Sequence, residues 1–280
     1  MKSAGSAAAS QTGSQSKVVL ITGASSGIGQ LCADHLHRSG WTVIGASRRG
    51  TSTGIWQPLV MDVDDNESVA QGVASVVAEH GRLDAVIACA GWGLAGAVEQ
   101  TPIADAIAQL DTNFWGTVRV VQAALPVMRE QRSGRLVLMS SLGGVIALPF
   151  QAYYTASKFA LEGYGEALAY EVEPFGINVT LVQPGNFRTG FTGSRRQVKP
   201  SHGDMTYVAA ASKAVGLMER DEMNGADPAL VAAAVERVLN AERPPLRVSV
   251  GKFGERVGIL AKRLLPQRLF TRAVRSSLGV

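Results

Sequence analysis

Lys17-Val18-Val19-Leu20-Ile21-Thr22-Gly23-Ala24-Ser25-Ser26-Gly27-Ile28-Gly29 is the stretch on which the reading of this chain turns. Four successive apolar residues, Val18 to Ile21, fit a strand buried on both faces, and a helical period from Ile28 to Arg38 follows at once. Between them Gly23, Gly27 and Gly29 permit a tight turn with close backbone approach. Ser25, Ser26 and the N–H groups at the helix start complete a cradle for a pyrophosphate. The spacing is G-x-x-x-G-x-G rather than G-x-G-x-x-G. Such a turn can also be a plain strand-to-helix connection, so its surroundings must decide.

Outward from this unit the chain alternates short apolar runs with helical segments. Thr42–Ala46, Leu59–Met61, Leu83–Ala88, Arg135–Met139, Ile177–Val182 and Arg247–Val250 read as further strands. Helices are expected at Asp65–Glu79, Pro102–Gln131, Ala152–Glu173 and Ala229–Leu239. Asp64-x-x-Glu67 reads as a helix cap, and Pro174-Phe-Gly176 as a stop before the sixth strand. The expected fold is α/β: a single Rossmann-type doubly wound parallel sheet of about seven strands, with helices on both faces and a C-terminal helical extension. Residues 1–16 read as a disordered leader and 17–251 as the domain. Within it, 186–226 lacks a strand pattern and reads as a lid. Residues 252–280 read as a basic extension that Pro266 divides into two amphipathic helices.

Of 280 residues 46% are hydrophobic and 18% charged, which suits a buried core and argues against disorder. The net charge of +4 is a property of the tail. Residues 243–280 hold nine Lys and Arg against Glu255 alone, a balance of +8, so residues 1–242 carry −4. A weakly acidic body with no basic stripe argues against nucleic-acid binding. Cys32 and Cys89 cannot build a disulfide framework, and a cytoplasmic location fits best. His35, His37, His80 and His202 show no ligand spacing, so no metal is expected. The uncharged run between Arg135 and Lys158 contains Ser140, Ser141, Gly143, Gly144 and Pro149, which argues against a membrane span.

Two further signals carry chemistry. Ser47-Arg48-Arg49 ends the second strand, where a guanidinium would pair with a 2′-phosphate and serve a bare ribose hydroxyl poorly, so the expected cofactor is NADP(H). Tyr154-Thr-Ala-Ser-Lys158 puts a phenol and an ammonium on one helical face, and Ser141 stands thirteen residues upstream after the fifth strand.

The glycine pattern, Asn113 in Asp-Thr-Asn-Phe-Trp-Gly, Ser141, Tyr154, Lys158 and Pro184-Gly185-Asn-Phe-Arg-Thr189 occur in the order seen in the short-chain dehydrogenase/reductase family, which the chain resembles over about residues 17–250. Leu148 to Gly163 is similar, more narrowly, to the branch of 17β-hydroxysteroid and retinol dehydrogenases. That resemblance implies an oxidoreductase interconverting a secondary alcohol and a ketone, or a bulky hydrophobic alcohol and aldehyde. Tyr154 would be the general acid/base, its pKa lowered toward the working pH by Lys158 and an oxidised nicotinamide. Ser141 would hold the substrate oxygen, Lys158 would also bind the nicotinamide ribose, and Asn113 would anchor a water. Asp62 and Val63 match adenine contacts, and Ala90 and Gly91 backbone contacts to the cofactor. Pro184, Gly185, Phe187 and Thr189 match the segment against the nicotinamide. Cys89 stands where the family has Asn, which puts local rigidity in doubt.

For substrate, Trp92, Leu94, Leu142, Val145, Phe150 and Phe191, with Leu148, Phe187, Met205 and Met218, suit a bulky apolar alcohol or ketone. Arg188, Arg195 and Arg196 leave an anionic one open. The tail is expected to cover the cleft or meet the partner of a homodimer, with peripheral contact to an anionic membrane through 252–280 as the other reading. Two other functions remain in view: an NADP(H)-binding sensor without turnover, and an epimerase or dehydratase on the same fold.

Overall fold

The structure, a computed structural model, describes residues 16–50, 52, 54–198 and 205–279. The first fifteen residues of the expected leader, and His202 in the lid, lie outside the described residues. Ser16 is tied down: its hydroxyl donates to the Gly40 carbonyl at 2.8 Å.

Seven strands form one parallel sheet: β1 (Val18–Thr22), β2 (Thr42–Ser47), β3 (Gln57–Val60), β4 (Ala85–Ala88), β6 (Gly134–Met139), β7 (Ile177–Pro184) and β9 (Arg247–Val250). Their order is β3-β2-β1-β4-β6-β7-β9. All seven expected strands are present. Every residue of β1 and β4 is buried, as a strand covered on both faces requires. One layer packs α2 (Asn66–His80), α4 (Gly116–Gln131) and α5 (Ala152–Val172) through Val73, Val121, Leu161 and Leu168. The other packs α1 (Gly27–Arg38) and α8 (Ala229–Asn240) through Leu36, Val231 and Val235. From β1 the chain winds outward to β2 and β3, then returns to β4 on the other side of β1. The carboxyl ends of β1 and β4 therefore splay apart into a crevice, where open α/β sheets bind their ligands.

Three local readings are corrected. The expected helix Pro102–Gln131 is α3 (Ile103–Leu110), a π-helical turn over Asp111–Trp115, and α4. The cap of α2 is Asp65 rather than Asp64: its carboxylate accepts from the Ser68 N–H at 2.6 Å. The stretch 186–226 does contain a strand. It holds α6 (Phe191–Ser194), β8 (Arg196–Gln197) and α7 (Val208–Met223), with β8 pairing in parallel with β5 (Leu94–Ala95). Two residues carry too little pattern to be read as a strand. The tail forms α9 (Phe253–Leu264) and α10 (Gln267–Leu278), parted at Pro266 as expected.

A polar network ties α5 to the sheet edge. The Gln183 amide donates to Glu162 at 2.9 Å, Arg247 Nε donates to the other Glu162 oxygen at 2.8 Å, and the Ser249 hydroxyl donates to Gln183 at 2.7 Å. These bonds satisfy a buried carboxylate and fix the helix that carries Tyr154 and Lys158 against β7 and β9.

Candidate active site

A cleft of about 750 Å³ opens over the carboxyl ends of β1, β2, β4, β6 and β7. Its floor depends on two close backbone approaches. Gly23 has φ +67°, and a Cβ there would lie 2.9 Å from Ala90 Cα; a Cβ on Gly29 would lie 2.4 Å from the Gly23 carbonyl oxygen. Only glycine allows the β1 turn, the β4 turn and the start of α1 to meet this closely. No side chain caps α1, in contrast to α2, so its first N–H groups face the cleft where Ser25, Ser26, Gly27 and Ile28 also line it.

The bridge from this floor to the chemistry is the Cys89–Trp92 turn. Thr22 Oγ1 accepts from the N–H groups of Cys89 and Ala90 at 3.0 and 3.1 Å. Asn113, fully buried in the π-helical turn, accepts from the Trp92 N–H and donates to the Trp92 carbonyl, both at 3.0 Å, and donates to Ser157 at 3.2 Å. The rigidity that Cys89 put in doubt is therefore supplied by Thr22 and Asn113. Burial pushes the Cys89 thiol up to about 11, which keeps it a neutral packing group. The same bonds bear on the water expected at Asn113, whose side-chain amide is committed to Trp92 and Ser157.

On α5, Lys158 is buried and its ammonium donates to the Met139 carbonyl at the end of β6, at 2.8 Å. Burial pulls it down to about 8, against the opposing pull of Cys89 and Glu162. Tyr154 lies one turn earlier, its ring centroid 5.9 Å from Lys158 Nζ and 5.8 Å from the centroid of Phe191. Its hydroxyl is hydrogen-bonded to Ser141, whose Oγ also accepts from the Gly143 N–H at 3.0 Å. On balance the chain's own groups act upward on this phenol, whereas the expected lowering came from Lys158 and an oxidised nicotinamide together. Burial raises Tyr154, and the Ser141 bond only partly offsets it.

The pairing of Arg195 with Glu222 is an addition that sequence reasoning missed. The Arg195 side chain is 1% exposed, ion-paired with Glu222 and 3.7 Å from Glu219, while Glu222 accepts from Thr192 at 2.5 Å and lines the cleft. Both charges act on Tyr154, Glu222 raising its pKa and Arg195 lowering it. Arg195 is thus held against the Glu222 and Glu219 carboxylates, with its Nε and Nη1 buried without a hydrogen-bond partner. Arg196 lies over the Trp92 ring at 4.2 Å, and Arg188 is exposed.

At the far end of the cleft Arg48 lines the wall after β2, beside Asp62, Val63 and Asp64. Asp62 also holds its own turn, accepting from the Asp64 N–H at 3.1 Å. Pro184, Gly185, Phe187 and Thr189 line the side formed by the end of β7. Of the expected substrate residues, Trp92, Leu142, Leu148, Phe187 and Phe191 line the cleft and five do not. Leu94 is buried in β5. Val145 is absent from the cleft lining, and its carbonyl accepts from Lys262. Phe150, at φ +57°, packs beside Ala214, Met218 and Leu278 in a satellite core. Met218 belongs to that core too, and Met205 is exposed. Ile146 and Gly258, not expected from the sequence, line the cleft as well. Among the described residues no cluster of His, Cys, Asp and Glu could hold a metal, and no helix is long and apolar enough to cross a membrane.

The family model described as short chain dehydrogenase matches residues 17–200. This chain belongs to that family. A 3-ketodihydrosphingosine reductase of Bacteroides thetaiotaomicron is 40% identical over 93% of this chain and 97% of its own. The narrower likeness holds as well: an estradiol 17-beta-dehydrogenase 1 of Rattus norvegicus is 40% identical over 63% of this chain and 56% of its own length. A short-chain dehydrogenase from Streptomyces avermitilis superposes with a TM-score of 0.78 at 35% identity, covering 94% of this chain and 95% of its own. The chain is therefore an oxidoreductase of the kind that acts on CH–OH and C=O groups.

Thr22 and Cys89 make separable predictions. Thr22→Val leaves two N–H groups at the base of the cleft unpaired, and should cost about 1–3 kcal/mol in urea unfolding. Cys89→Ala should change affinity for the reduced nicotinamide coenzyme, read by fluorescence titration, by less than about twofold, since the turn is braced from elsewhere.

Proposed function

We propose that this protein is an NADP(H)-dependent reductase of a lipophilic ketone, and of the corresponding secondary alcohol in reverse. The observation that carries the reading is the convergence of Tyr154, Ser141 and Lys158 on one wall of a cleft whose floor is a glycine cradle. That cradle, with an α1 N-terminus that no side chain caps, fits a dinucleotide. Gly23, Ser25, Ser26, Gly27, Ile28 and Gly29 would hold its phosphates, and Arg48 a 2′-phosphate. Asp62 and Val63 would meet the adenine, Ala90 and Gly91 the chain between, and Pro184, Gly185, Phe187 and Thr189 the nicotinamide end. Bound NADPH supplies the hydride for reduction.

The residues of this chain manage the proton. Ser141 donates to the substrate oxygen and holds it beside Tyr154 Oη. Tyr154, kept protonated by burial, passes its proton to that oxygen as charge develops on it. The phenolate left behind is stabilised by the Lys158 ammonium in a site of low dielectric, where a neighbouring charge counts for more than in water. Asn113 acts by holding the Trp92 turn.

Trp92, Leu142, Ile146, Leu148 and Phe191 give the reacting end an apolar wall. Relatives named for 3-ketodihydrosphingosine and for estradiol support a lipophilic substrate. The family resemblance further implies a homodimer, and two free cysteines suit a cytoplasmic enzyme.

Tyr154→Phe should lower kcat for NADPH-dependent ketone reduction at least ~10³-fold with NADPH affinity unchanged within about twofold; near-normal turnover would overturn the mechanism. Arg48→Asp should reverse the NADPH/NADH preference in kcat/KM, and an unchanged ratio would defeat the coenzyme assignment.

A further inference from the structure

Helix α9 forms part of the cleft wall with one side and leaves the opposite side uncovered. Its inward positions are Glu255, Gly258 and Lys262, three and four residues apart. Glu255 accepts from the Asn186 N–H at 3.0 Å, Gly258 lies against Ile146, and Lys262 donates to the Val145 carbonyl. Phe253, Val257, Leu260 and Leu264, spaced four, three and four apart, occupy the other side of the same helix. They are not buried: Phe253 is 81% exposed, Leu264 73%, Leu260 55% and Val257 44%. Helix α10, of equal length, behaves conventionally and turns Phe270 and Leu278 inward. The apolar strip of α9 continues past Pro266 through exposed Leu265 and Leu269.

The charges around this strip have one sign. Arg256, Arg263, Arg268 and Arg272 are all exposed. The only acid of the extension, Glu255, faces inward and accepts from the backbone N–H groups of Asn186 and Lys252. An isologous contact between two copies would bring these guanidinium groups together, whereas an anionic lipid surface pairs with them and accepts the apolar strip between acyl chains.

We propose that the α9 strip and the flanking arginines seat this protein on an anionic bilayer. Because the inner side of the same helix lines the cleft, docking sets the substrate end of the cleft at the lipid surface. A lipophilic ketone would then enter from the membrane, a consequence that rests on the function proposed above; the docking itself does not.

The test is co-sedimentation of the full chain with vesicles of phosphatidylcholine containing about 30% phosphatidylserine. The protein should pellet with them, and binding should fall roughly tenfold in Leu260→Glu/Leu264→Glu and in salt of about 0.5 M. These residues touch neither cleft nor core, so circular dichroism and NADPH-dependent turnover of a water-soluble ketone should be unchanged in the variant. Absence of pelleting, equal pelleting of parent and variant, or a drop in oligomer mass of the variant by light scattering would each overturn the proposal, the last by assigning the strip to a second copy. Loss of turnover in both proteins with lipid binding intact would instead refute the enzymatic reading alone.

Discussion

The site depends on one buried cation. Lys158 is held by the Met139 carbonyl at the end of β6, in surroundings that cost its charge enough to bring it down to about 8. An ammonium in that position is tolerated because its donor is satisfied and Glu162 lies along the same helix. Glu162 in turn is bound to Gln183 and Arg247, so the network that fixes α5 on the sheet edge also stabilises the charge one turn above it. Tyr154, Ser141 and Lys158 thereby become neighbours through the sheet rather than through any direct contact between phenol and ammonium.

Much of this was legible in the sequence, for a physical reason. Strands buried on both faces are largely apolar, so β1, β2, β4, β6 and β7 announce themselves, and a turn where an added Cβ would meet backbone at 2.4–2.9 Å must be glycine. What stayed hidden depends on side-chain direction and on distant pairing. Leu94, Val145 and Phe150 follow strand ends as cleft residues should, yet local turns point them elsewhere, Phe150 through a left-handed backbone. The π-helical turn at Asn113 has no periodicity that sets it apart from the α-helices on either side. Arg195 and Glu222 lie far apart in sequence and meet only when the lid folds. The raised phenol of Tyr154 was also beyond reach, because enclosure by Phe191 and the lid cannot be read from a Tyr-x-x-x-Lys spacing.

The segment after β7 and the tail pack against each other. Helix α7 meets α10 through Met218, Ala214 and Leu278, with Phe150 beneath them, while α9 closes the cleft beside Ile146. The segment after β7 and the C-terminal helices therefore shape the apolar end of the cleft jointly, and the glycine cradle at the other end is independent of them.

The account makes the charge of Lys158 necessary for reduction and the phenol of Tyr154 protonated across the neutral range. The most direct measurement is the pH profile of kcat/KM for NADPH-dependent ketone reduction. It should be level below an apparent pKa of about 8 and fall above it, by about tenfold per pH unit, as the ammonium loses its proton. A profile that stays level through about pH 10, well above the point at which burial strips this ammonium of its proton, would contradict it.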